Sequence, residues 1–249
     1  MAILPEPITG VSAPYSLAGL ITGHNAEAIS GICITQIVNP GTPDIWARSW
    51  TTFDMKKNAA LVGSTETTLC RIGGAQVAKH YRLPLHTTAP NSDNHAHDEQ
   101  NSWEKTFSTF CDAAAGNDLV VNLGMSACGL TISLEQLVMD VEIVGQVRRL
   151  QKGIDASPEM IGEDLIRKVG YRGTYMVEDH TLKLLGRGEH REPLIAARGS
   201  IDTWKEEGAK DSVGMAADIV RDILRRPLPV TSVDRWEAMT EVIRSCEGG

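Results

Sequence analysis

"LPLHTTAPNSDNHAHDEQNSWEKTFSTFCDAAAGNDLVVNLG", residues 83–124, carries the decisive pattern of this chain. "LPLHTTA" (83–89) is a short run with the composition of a strand, and "NDLVVNLG" (117–124) is a second. Between them a polar loop leads to "DEQNSWEKTFSTFCDAAA" (98–115), a helix-length stretch in which Asp98 is placed to cap the first turn. Strand, helix and strand with no hairpin signal make a βαβ unit, whose two strands must run parallel. The same grammar extends outward. Upstream, "ILPEPITG" (3–10) precedes a helix over 16–38, and "PDIWARSW" (43–50) precedes, after a loop, a helix over 66–82. Downstream, the loop "MSACGLTI" (125–132) leads to Ser133, an N-cap for the helix over 134–153. Four successive βα units predict a parallel sheet with helices outside it, either doubly wound or closed into a (β/α)8 barrel.

Beyond residue 151 the strand signal fades. Stretches 157–170, 202–226 and 232–246 read as helices divided by Gly- and Pro-containing joints, so residues 1–150 form an α/β region and 151–249 a helical one. With 249 residues and 42% hydrophobic content the chain can bury a sizeable core. A formal net charge of −8 argues against a nucleic-acid partner, which needs clustered Lys and Arg. The apolar runs fall short of the roughly 20 residues of a membrane span, and "MAILPEPITG" has no basic leader, so a cytoplasmic location is expected. The five cysteines are scattered and form no CxxC pair, as expected of reduced thiols.

Candidate sites belong in the loops at the carboxyl ends of the strands. One loop holds Asp93, His95, His97 and Asp98. A His95-x-His97 pair could open the ligand set of a barrel-type metal hydrolase, which would need further ligands from other strand ends; the same residues could equally be a solvated pocket mouth. A second candidate is "DIWARSW" (44–50), where period-2 alternation puts Trp46, Arg48 and Trp50 on one face. Two indoles can hold a quaternary ammonium and a guanidinium can grip a carboxylate, the two ends of a betaine. Alternatively the indoles pack beneath helices and Arg48 pairs with a structural acid. His86 and Asn122 lie at neighbouring strand ends and complete the candidate binding set. No phosphate-binding glycine motif and no nucleophile elbow is present, and no catalytic residue is assigned.

Taken together, residues 7–43, 63–105 and 129–154, with "DHTL" at 179–182, resemble the C-terminal half of the trimethylamine:corrinoid methyltransferase family. The chain contains standard residues only and resembles the non-pyrrolysine branch, which includes glycine betaine methyltransferases. The resemblance implies a TIM-barrel enzyme that moves a methyl group from a quaternary or tertiary methylated amine, such as a betaine, to the cobalt of a cobamide carried by a separate corrinoid protein. No metal bound directly by the chain is implied. Asp93, Asp98 and Gln100 fall where the family carries its Thr-Asp and Asp-x-Gln elements, with His95 and His97 in place of Lys and Pro; this loop is expected to face the corrinoid. Since the family's barrel has eight units, four leave open edges and an uncovered face. Pairing with a second copy or with a separate N-terminal half is therefore expected, the alternative being a catalytically inactive interaction module.

Overall fold

The computed structural model describes residues 1–226 and 232–247. In chain order, the α/β region comprises β1 (Ala2–Ile3), α1 (Leu17–Val38), β2 (Ile45–Arg48), β3 (Thr52–Asp54), β4 (Ala59–Leu61), α2 (Thr65–Tyr81), β5 (Leu85–Thr88), α3 (Glu99–Ala114), β6 (Leu119–Val121), β7 (Met125–Ser126), β8 (Thr131–Ile132) and α4 (Leu134–Lys152). The helices begin where their caps predict. Ser16, Ser64, Asp98 and Ser133 accept the backbone N–H of Gly19, Thr67, Asn101 and Gln136 in turn, each satisfying a donor the helix cannot.

The main sheet has the order β1-β2-β5-β6 and is parallel throughout. Trp46 stands opposite Leu85, and His86 opposite Leu119, so the register runs unbroken across three strands. The helices neighbour one another in the same order, α1 on α2, α2 on α3 and α3 on α4. Leu20 and Ala28 of α1, Cys70, Ala75 and Ala78 of α2, and Trp46, Trp50 and Leu85 from the sheet make the main apolar core.

Two antiparallel pairs modify the expectation of an uninterrupted βα alternation. β3 and β4 form a hairpin inside the predicted loop between β2 and α2, Phe53 opposite Ala60. Its turn is built by Asp54, whose carboxylate accepts the N–H groups of Lys56 and Lys57, and by Asn58 at φ 53°; Asx turns of this kind need only a few residues. β7 and β8 pair across a turn in which Ala127, Cys128 and Gly129 have φ of 52°, 56° and 84°. Conversely, the predicted strand over 3–10 joins the sheet ladder only through Ala2–Ile3, with isolated bridges from Ile8 to Thr51 and from Thr9 to Ala13 further along. Pro5 and Pro7 cannot donate to a ladder.

The C-terminal region is helical: α5 (Pro158–Ile161), α6 (Glu163–Val169), α7 (Asp179–Gly186), α8 (Ile201–Glu206), α9 (Ser212–Arg225) and α10 (Val233–Glu247). The helix expected over 157–170 is divided at Gly162 (φ 64°), and the one expected over 202–226 at Gly208 and Ala209, both left-handed. α9 packs on α4, and Met139 of α4, Ala216 of α9 and Ile195 from the segment between α7 and α8 form one apolar cluster there. Glu142 of α4 receives Arg191 Nη1 and Nη2 at 2.5 and 2.8 Å and the Leu194 N–H at 2.8 Å. Among the described residues no helix is long and apolar enough to cross a membrane.

Candidate functional site

Strand alternation gives the sheet two faces of different character. On β5, Leu85 and Thr87 turn to the helices, Leu85 into the apolar core and Thr87 to Asp112 of α3, while His86 and Thr88 line a cavity of about 440 Å3 on the opposite face. Leu4, Glu6 and Ile8, alternate residues of the extended segment after β1, form one side. Asn91 and Asn122 close the end near the carboxyl termini of β5 and β6. Asn91 donates to the Thr88 carbonyl at 2.8 Å, and Asn122 stands at φ 81°.

The reactive groups in the cavity are held neutral. Burial and the positive charge of Arg48 both push the pKa of His86 below the ordinary imidazole value, and its Nδ1 is buried without a partner. Burial, then the adjacent Asp93, pushes the Cys128 thiol up to about 11; it donates to Asp93 Oδ1 and to the Ala60 carbonyl. Neither an imidazolium acid nor a thiolate nucleophile is available at neutral pH.

The loop after β5 is tied into the fold. Asp93 Oδ1 accepts the N–H groups of Val62 and Gly63 at 2.6 and 3.0 Å, fastening this loop to the end of the β3–β4 hairpin. Burial raises its pKa. Asp98 caps α3, and Gln100 donates to Glu104 at 2.9 Å. His97 contacts α4 at both ring nitrogens, Gln136 Oε1 at 2.7 Å and Ser133 Oγ at 3.3 Å, while His95 is exposed. His95 and His97 are thus separated by their surroundings, and among the described residues no three His, Cys, Asp or Glu side chains come together as a metal site.

Trp46, Arg48 and Trp50 do share one face, and that face is turned to the helices. His24 of α1 lies edge-on to both indoles at 4.6 Å. Trp46 is fully buried and donates to Asn25 at 3.3 Å. Gly74 of α2 supplies the space: a Cβ there would lie 2.3 Å from Trp50 Cη2. Arg48 pairs with Asp112 at 3.1 Å and with Asn117 at 2.7 Å. Of the binding set expected from sequence, His86, Asn122 and the edge of Trp50 border the cavity; Trp46 and Arg48 lie outside it. On this strand Trp46 and Arg48 therefore belong to a buried cluster beneath the helices, held by Asn25, Asp112 and Asn117.

The profile of the trimethylamine methyltransferase (MTTB) family matches residues 1–245. The chain belongs to that family. Among curated members it is 34% identical to the trimethylamine methyltransferase MttB2 of Methanosarcina mazei over 97% of this chain and 48% of that protein. To the trimethylamine methyltransferase MttB of Desulfitobacterium hafniense it is 32% identical over 91% and 45%. To a glycine betaine methyltransferase of the same species it is 31% identical over 80% and 42%. This MTTB-family chain spans about half the length of the curated relatives it matches.

Sequence reasoning missed several residues. Lys105 is fully buried, with its ammonium 3.0 Å from Asp140 and donating to the Met125 carbonyl. Asp140 also accepts the Gly124 N–H at 2.7 Å, so the pair fixes the segment after β6 against α3 and α4. Burial shifts both partners toward neutrality, Lys105 down and Asp140 up. Their spacing in sequence carries no signal of the contact. Glu6 was legible: the alternation of Leu4, Glu6 and Ile8 puts a carboxylate on the face that proves to line the cavity.

Proposed function

We propose that this chain forms one half of a (β/α)8 barrel whose cavity holds a methylated amine for transfer of a methyl group to the cobalt of a separate corrinoid protein. Family membership, the sequential order of parallel strands and the helices on one side of them support the reading. The observation that carries it is the chemistry of the cavity: a concave site at the carboxyl ends of the strands whose imidazole and thiol are both neutral. Such a lining fits a corrinoid at the mouth, because the one thiol among the described lining residues, Cys128, is protonated and does not compete with cobalt for the methyl group. The corrinoid supplies the cobalt(I) nucleophile.

The chain's own residues have to bind, orient and exclude water. His86 and Asn122 serve as neutral hydrogen-bonding neighbours of the substrate, and the loop carrying Asp93, His95, His97, Asp98 and Gln100 faces the corrinoid protein. The anchoring of Asp93 and His97 keeps that loop in one position, which is catalysis by orientation. Quaternary amines suit the cavity best. They leave as neutral tertiary amines, so no proton is needed, and the cavity provides no acid at neutral pH. A tertiary amine would leave as an amide anion unless activated.

In this reading residues 1–150 are the half-barrel and 151–249 a helical region packed on it through α9. The edges β1 and β6 pair with an N-terminal half or a second copy. The test is transfer of a methyl group from a quaternary amine to reduced cobalamin, followed by the cobalt absorption spectrum, with and without a separately produced N-terminal half. Transfer in neither case refutes the assignment.

A further inference from the structure

Among the described residues the cavity is lined by one carboxylate side chain, Glu6, and by no Lys or Arg, and burial holds the pKa of His86 below the ordinary imidazole value. Glu6 is exposed in the cavity wall and joins no ion pair among the described residues. A quaternary ammonium is recognised either by aromatic faces or by an anionic group. On this chain's side of the cavity the aromatic route is closed: Trp50 is 1% exposed, its ring is wedged against His24 and Gly74, and the Arg48 guanidinium already lies 5.8 Å from its centroid. Nor can Arg48 reach a ligand carboxylate, since it is itself buried and held by Asp112 and Asn117 beneath the sheet.

We propose that this cavity binds the methylated amine as an unaccompanied cation, with Glu6 as its counter-charge, and discriminates against betaines. A betaine's carboxylate would enter a site lined by a carboxylate side chain and, among the described residues, by no Lys or Arg. The inference rests on the reading of the cavity as the methylated-amine site and narrows its substrate class to amines whose other substituents are neutral. Because Glu6 lies in a partly solvated wall, its contribution is that of a screened charge pair rather than a buried one.

Three ligands of similar size test this: choline (a cation), glycine betaine (a zwitterion) and 3,3-dimethylbutan-1-ol (the neutral isostere of choline). Dissociation constants come from saturation-transfer NMR on their methyl signals with the full chain. Choline is expected to bind about three- to fivefold more tightly than either of the others, and more weakly as salt rises from about 0.02 to about 0.3 M. Glu6→Gln should erase the preference while Glu6→Asp retains it; circular dichroism melting verifies that both variants fold, as expected for a side chain with no ion pair to lose. Equal binding of glycine betaine and choline, a choline preference that survives Glu6→Gln, or no binding of any ligand overturns the proposal. The titrations contain no cobalt. A failed methyl-transfer assay alongside an intact choline preference would therefore refute the transfer reading and leave the cation site standing; the reverse result would do the opposite.

Discussion

Replacing Arg48 by Met separates a structural role from a binding one. Arg48 and Asp112 are 1% and 0% exposed on their side chains, and they meet at 3.1 Å with Asn117 as a second acceptor for the same nitrogen. Burial pulls the Arg48 pKa down to about 10 and raises that of Asp112, so the site is dry enough that neither charge is comfortable alone. Arg48→Met removes one partner and leaves Asp112 with Thr87 at 3.2 Å, Asn117 and the charge of Arg71. Breaking a buried pair from one side costs about 3–5 kcal/mol. For a chain of this size each kcal/mol lowers Tm by about 2–4 °C, so a fall of about 6–20 °C is expected in calorimetry. The double variant Arg48→Met with Asp112→Leu should recover part of the loss, because it no longer strands a carboxylate in an apolar setting. The choline dissociation constant of the folded variant should be unchanged. A Tm within 2 °C of the parent, or a tenfold weaker choline affinity with stability intact, would refute the structural role and return Arg48 to the binding site.

Other consequences are equally direct. Gly74→Ala places a methyl 2.3 Å from Trp50 Cη2 and 3.2 Å from Trp46 Cη2 and should cost about 1–3 kcal/mol in urea unfolding. Lys105→Met should destabilise by about 3–5 kcal/mol and speed hydrogen exchange at Gly124, whose amide is held by Asp140. Glu142 is drawn from 4.5 to about 2, chiefly by its hydrogen bonds from Arg191, so its stabilisation is full above pH 4.5 and is lost as pH falls toward 2; limited proteolysis across residues 187–200 should become faster over that window, and Glu142→Gln should flatten the dependence. With its pKa near 11, Cys128 has about a thousandth of its thiol ionised at pH 8, and iodoacetamide should label it far more slowly than the exposed Cys33.

The sequence by itself determined the alternation of strands and helices, because that information is local. Asp98 and Ser133 cap the helices they precede, and the apolar runs of β2, β5 and β6 lie where their composition puts them. It also determined the family. Local turn chemistry was present but weak, so the hairpin over Thr52–Leu61 passed as a loop. Alternation fixed which residues share a face and not where that face points. Trp46, Arg48 and Trp50 share one face in either reading, and the choice depends on Gly74, 24 residues beyond Trp50 in the chain, which opens the space for an indole under α2. α3 makes the same point more sharply. Its aromatic residues Trp103, Phe107 and Phe110 are exposed, while Asn101, Lys105, Ser108 and Asp112 face inward, the reverse of the amphipathic rule. Only the fold brings Asp140 to Lys105 and Arg48 to Asp112, across 35 and 64 residues of chain. A buried charge is tolerable only when its partner arrives, and that arrival is a property of the tertiary structure rather than of any segment.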